Sequence, residues 1–192
     1  MIAQFAPLPL LPFAALEATP LTGLLAFGSL DAAGNLELDY QLRGGRERLR
    51  LPVGSAEPAR AAARRGDLWR HTCLELFVRA GDSPGYLEFN FAPDGDWAAY
   101  GFDDYRAGQH DIDVSHCRIQ LHAHDADLAV HVSLLVPQLA ATPRISTWHL
   151  GVAAVIEAGD GSLSYWALCH PQQQPDFHDA AGFSCALSAP AP

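Results

Sequence analysis

Between residues 34 and 43 the chain alternates strictly. Leu36, Leu38, Tyr40 and Leu42 fall on one side, and Glu37, Asp39, Gln41 and Arg43 on the other. A period of two marks a strand with one covered face. The same period runs from Tyr86, with Leu87, Phe89 and Phe91 on one face and Tyr86, Glu88 and Asn90 on the other. Strand signals recur from about residue 22 onward. They cover 48–51, 72–79, 97–102, 116–122, 128–136, 147–157, 163–170 and 183–187. Turn residues separate them at Gly44-Gly45, Gly81 to Pro84, Asp125 to Asp127 and Gly159 to Ser162. Pro93-Asp94-Gly95 has the chemistry of a three-residue hairpin: proline presets φ, aspartate bonds local backbone, and glycine takes the left-handed position. A turn centred there sets Glu88 across from Tyr100 and Asn90 across from Ala98.

Good helix formers occur together once, from Glu57 to Arg65, with Pro58 near the start and Gly66 as a stop. That stretch predicts one short surface helix or loop. Many short strands with little helix predict an all-β chain, an antiparallel two-sheet β-sandwich with at most one short helix. A closed barrel is the alternative. With 192 residues, the chain fits one domain, 1–192. Residues 1–20 form an extended N-terminal segment. It is apolar, but it lacks a positive n-region and prolines 7, 9 and 12 interrupt it, so it reads as a mature N-terminus.

Charge and thiols narrow the partners. The net charge of −10 lacks the basic footprint of a nucleic-acid binder. All 12 basic residues are arginine, which fits coding bias in a high-GC genome. No apolar run is long enough to span a bilayer. Cys73, Cys117, Cys169 and Cys185 are widely spread without a C-x-x-C pair. They predict reduced thiols, Cys73 buried among them, and a cytoplasmic protein.

Four regions carry candidate chemistry. On the strand 72–79, Cys73, Glu75, Phe77 and Arg79 oppose Thr72, Leu74, Leu76 and Val78, so both faces are semi-apolar and the strand is central. A glutamate there needs a partner, because an unpaired buried charge is costly. Arg79, Arg106 or a ligand hydroxyl would supply it, and a purely structural Glu–Arg pair stands beside the functional reading. Trp69, just before the strand, is either a stacking platform or a core residue. Arg106 ends Asp103-Asp104-Tyr105-Arg106 and either clamps a ligand or neutralises Asp103 or Asp104. The run Cys169 to His178, with two prolines, three amides and two histidines, is a loop that carries His170, Phe177 and His178. Trp166 and His170 share one strand face that leads into it.

Metal and cofactor chemistry find less support. His122 and His124 share a strand face, with His131 elsewhere, but spacing nominates no third ligand and Asp125 and Asp127 indicate a polar turn. Met1 is the only methionine, which removes a His/Met haem pair. No phosphate loop, dinucleotide fingerprint, nucleophile elbow or H-E-x-x-H motif is present. The expected sites therefore hold no metal and no cofactor.

A tryptophan before T-C-L-E-L-F-V, then Y-L-E-F-N-F-A-P-D-G-D-W-A-A-Y, F-D-D-Y-R and a late H-P-x-x-x-P-D-F-H resembles the DOMON-like, family-9-carbohydrate-binding-module-like bacterial proteins. The resemblance covers residues 67–106 and 169–183. It implies a jelly-roll-like β-sandwich that holds a saccharide between two aromatic rings, with charged and amide side chains on its hydroxyls. By motif, Trp69 corresponds to one ring, Glu75 to the acidic residue and Asn90 to the amide. Glu88 stands where sugar binders are expected to carry arginine. No second tryptophan occupies the late loop, so Phe177 or Trp166 would replace it. The resulting expectation is a non-catalytic module for a carbohydrate or related polar metabolite, bound by Trp69, Glu75, Glu88, Asn90, Arg106, Trp166, His170, Phe177 and His178. The alternatives are a glycoside hydrolase-like enzyme using Glu75 and Glu88, and a protein-interaction domain with no small ligand.

Overall fold

The computed structural model describes residues 2–51, 62–140 and 147–188. Its twelve strands are β1 (Ile2–Pro12), β2 (Gly23–Asp31), β3 (Asn35–Arg43), β4 (Cys73–Ala80), β5 (Tyr86–Phe91), β6 (Trp97–Phe102), β7 (His110–Asp111), β8 (His116–His124), β9 (Asp127–Leu135), β10 (Thr147–Glu157), β11 (Leu163–Ala167) and β12 (Cys185–Ser188). The described residues contain one short helix, α1 (Pro137–Ala140). The expected all-β antiparallel class is what forms. Its strands lie on one continuous path, β7-β6-β5-β4-β10-β11-β1-β2-β3-β9-β8, with β12 beside β10, and the sheet curls into a half-barrel. With β7 and β8 at the two ends of the path, the barrel is not closed among the described residues.

Continuity comes from β1. Residues 2–10 pair with β2, whereas Leu11 and Pro12 pair with Ala167 and Trp166 of β11. The segment expected to be merely extended is therefore the strand that joins the two halves. Its prolines hid this. A strand whose second edge has no ladder over most of its length tolerates residues that lack an N–H on that edge. The register shift between Phe5 and Leu8 accommodates Pro7.

Curling brings the inward faces of both halves together. Leu38, Tyr40, Val130 and Val132 from one half share a core with Leu74, Leu76, Phe89, Val152 and Trp166 from the other. Tyr40 carries the polar link across it: its buried hydroxyl donates to the Glu75 carbonyl of β4 at 2.8 Å. β4 lies between β5 and β10 with both faces covered along most of its length, as its two semi-apolar faces predict. The hairpin is as expected too, with Glu88 opposite Tyr100, Asn90 opposite Ala98 and Gly95 at φ 97°.

Three local expectations fare differently. The short helix or loop expected over Glu57 to Arg65 lies mostly outside the described residues. Residues 62–65 are not helical, and Arg64 bridges Trp97 in parallel. Residues 48–51 make one bridge, Leu49 to Ala158, instead of a strand. All four cysteines are free and Cys73 is buried. No helix of the described residues is long and apolar enough to cross a membrane.

Tyr40→Phe tests the link between the halves. Removing the hydroxyl leaves a buried carbonyl one hydrogen bond short, so urea unfolding is expected to register a loss of ~1–2 kcal/mol. No measurable loss would mean that this hydrogen bond adds nothing to the strand pairing and packing that join the halves.

Candidate functional site

The faces of β4 and β5 turned away from the core form the floor of a cavity of about 600 Å³. Antiparallel pairing makes Glu75 and Asn90 direct neighbours and places Glu88 one step along, opposite Phe77. Tyr100 and Phe102 of β6 extend the floor on one side, and Val155 of β10 and Tyr165 of β11 on the other. Trp69, Arg106 and the loop residues Gln174, Pro175, Phe177 and His178 form the walls. Trp69, Glu75, Glu88, Asn90, Arg106, Phe177 and His178, seven of the residues nominated from sequence, thus line one concavity.

The polar floor is almost fully buried. Asn90 accepts from the Cys73 thiol at 3.6 Å and donates to Glu88 Oε1 at 2.6 Å, so its amide is engaged at both ends. Burial raises the Glu88 pKa, against the opposing effects of Asn90 and Arg106. Glu75 is more extreme. Its side chain is 4 % exposed, and Oε1 has no hydrogen-bond partner among the described residues. Burial first, and the Glu88 charge second, push its pKa well above the usual carboxylate range. The structural Glu–Arg pair does not form there. Arg79 leans over the Phe183 ring at 5.9 Å, and its buried Nε is likewise unpartnered.

Arg106 bonds neither Asp103 nor Asp104. It reaches across to Asp176 of the late loop at 2.9 Å, from a backbone at φ 51°. Asp176 also accepts from the Tyr105 hydroxyl at 2.6 Å and from the His178 N–H at 3.1 Å. Burial works to raise the Asp176 pKa, but the bonds from Tyr105 and Arg106 outweigh it and leave the carboxylate below its ordinary value. His178 follows from this anchor. Burial, reinforced by the Arg106 charge, lowers its pKa to about 4. The neutral ring accepts the Tyr86 hydroxyl proton at Nδ1, 2.7 Å away, while that hydroxyl accepts the Arg106 N–H at 3.2 Å. The other ring nitrogen faces Glu88 Oε2 at 3.8 Å.

Trp69 is the exposed element. It sits on a single 3-10 turn, Leu68–Arg70, entered through Asp67 at φ 62°, and it is 51 % exposed. Of its two sequence readings, platform or core, the geometry is that of a platform. The Arg70 guanidinium lies 5.1 Å from the ring centroid.

Two nominated residues lie elsewhere. Trp166 is 1 % exposed in the main core and donates its indole N–H to Ser164 Oγ at 3.2 Å. Its neighbour Tyr165 faces the cavity instead. The strand ends at Ala167, so the alternation that linked Trp166 to His170 has no strand to carry it. His170 ties its loop to β1 through the Leu11 carbonyl at 2.9 Å and the edge of Phe13. Tyr100, Tyr165 and Asp176 were not nominated. Strand pairing across the hairpin pointed to Tyr100 and the aspartate-turn spacing to His178 pointed to Asp176, whereas no local signal set Tyr165 above Trp166. Two of the histidines set aside as ligands, His124 and His131, have ordinary partners, His124 facing Asp125 at 3.4 Å. His131 lies between Glu37 and Asp39 at 3.2 and 3.0 Å, and no cluster of three metal-ligating side chains occurs among the described residues.

No protein-family model matches this chain. No curated protein matches it either. Among solved structures it is similar to one from Bacteroides uniformis described as a "putative carbohydrate-binding protein". The TM-score is 0.58 at 14% identity, over 94% of this chain and 86% of that one. At that identity the likeness is one of fold.

Two pH responses follow. A glutamate pKa raised above its ordinary 4.5 contributes stability that is complete below that value and lost as pH rises through the folded value. Glu75→Gln keeps the shape without the charge, so its melting temperature should gain on the parent as pH rises above 4.5. A constant difference would mean that Glu75 ionises freely. His178 has the opposite sign: its neutral form contributes stability above the ordinary 6.5, lost as pH falls through about 4. An NMR titration of its imidazole should find the midpoint near that lower value, and a midpoint near 6.5 would contradict the burial.

Proposed function

We propose that this chain is a one-domain, non-catalytic module that binds a carbohydrate or related polar metabolite in the cavity floored by Glu75, Glu88 and Asn90. The observation that carries the reading is the exposed Trp69 indole beside a buried, hydrogen-bond-deficient carboxyl on the same concavity. A sugar ring has an apolar face and a hydroxylated edge, and that pairing suits both. Aromatic stacking contributes on the order of 1 kcal/mol, and each hydrogen bond to a charged group ~1.5–3 kcal/mol. The motifs from Trp69 to Arg106 and the description of the Bacteroides uniformis neighbour point the same way. On those motifs we read the chain as DOMON-like and the curled sheet as a jelly-roll-like sandwich. The free thiols support a cytoplasmic location.

Hydrolysis by Glu75 and Glu88 is the weaker reading. A glycosidase pairs a carboxylic acid with an ionised carboxylate, and here both groups are pushed toward the neutral form.

Calorimetry and thermal shift against a panel of mono- and disaccharides test the proposal. A bound sugar should raise the melting temperature. Trp69→Ala should weaken that sugar by about tenfold or more while leaving circular dichroism unchanged, because the ring is outside the core. Unaltered affinity in the variant, or no response to any sugar, overturns the reading.

A further inference from the structure

The floor carries more acid than a neutral sugar requires. Glu75 and Glu88 stand on adjacent strands of one face, both buried, and Glu75 Oε1 lacks a partner while its side chain lines the cavity. The cation that lines the same space, Arg106, is held by Asp176 at 2.9 Å and is not bonded to either glutamate. Around the acids the lining is aromatic: Trp69, Tyr100, Tyr165 and Phe177. Carboxylates beneath aromatic faces are complementary to an organic cation, which gains from ring quadrupoles as well as from charge. A metal ion fits less well. The Asn90 oxygen is turned to the Cys73 thiol and its nitrogen to Glu88, and a hard cation needs six or more oxygens.

We propose that the ligand carries a protonated amine, as an amino sugar does, with its ammonium seated between Glu75 and Glu88 and its ring against Trp69. The proposal rests on the small-ligand reading above and sharpens it. The ammonium supplies donors to the orphaned oxygen and offsets one of the two carboxylate charges, whereas a hydroxyl supplies a single donor and no charge.

The two ligand classes differ in how binding responds to pH. The groups facing the ammonium position are Glu75 and Cys73 from β4, Glu88 from β5, Tyr100 from β6, and Tyr165 from β11. Arg106, Asp176, His178 and, before β4, Asp67 complete the set. Of these, Glu75 and Glu88 have raised carboxyl pKa values and take up protons most readily as pH falls from neutral. An ammonium must displace that proton, so its affinity rises from acid toward neutral pH and binding releases protons. A neutral sugar that accepts a bond from protonated Glu75 shows the reverse.

Calorimetry with D-glucosamine, D-glucose and N-acetyl-D-glucosamine, run below the pKa of the free amine and in two buffers of different ionisation enthalpy, tests this. Glucosamine should bind about tenfold or more tightly than the other two, releasing protons. In E75Q, whose folding is checked by its melting curve, that preference should disappear. Glucose or N-acetylglucosamine binding as tightly as glucosamine, or affinity falling with rising pH, overturns the proposal while leaving the sugar reading in place. No binding by any of the three overturns both.

Discussion

A strand has two faces and a period of two, and β4 and β5 use both faces for different work. Leu74, Leu76, Phe89 and Phe91 enter the main core, while Glu75, Glu88 and Asn90 point into the cavity. A slip of one residue in either strand would bury the acids in the core and expose the aromatics. The core therefore fixes the register, and the register fixes the site. Tyr40 reinforces this at the critical point, since its hydroxyl grips the backbone of Glu75 itself.

Holding Glu75 there is costly to the free protein. Its carboxyl is shielded from water on a central strand, and Glu88 on the next strand makes ionisation harder still. Sites that bind or react are where such expense is tolerated. The contrast with Glu157 is instructive. It is equally buried, yet His71 at 2.8 Å and Arg50 at 3.1 Å take both its oxygens. The fold is able to pair a buried glutamate, and at position 75 it does not.

Much of this was legible in the sequence, because it is local. Alternation from Tyr86 and the turn chemistry of Pro93-Asp94-Gly95 sufficed to place Glu88 against Tyr100. What failed was non-local or lost phase. β1 looked like a proline-broken extended segment because its role as a bridge depends on β2 and β11, which only the fold brings to it. Trp166 was preferred over Tyr165 by carrying strand parity through to His170, three residues beyond the end of β11. The partner of Arg106, Asp176, lies 70 residues away and no spacing could announce it.

That distant pair organises the wall of the cavity. Asp176 gathers Tyr105, Arg106 and the His178 backbone, and His178 in turn receives the Tyr86 hydroxyl from the floor. The late loop, the loop after β6 and strand β5 are thereby fastened together around one carboxylate. Side chains already held in place lose little rotamer freedom on binding, so more of each contact appears as affinity. Trp69 is the exception. It stands half exposed on a single turn, where its orientation is set by Arg70 and solvent more than by packing. The cavity thus combines a rigid acidic floor and wall with one adaptable aromatic face. For the ring ligand we propose, floor chemistry would select the ligand and the indole would add affinity without choosing among rings of similar shape.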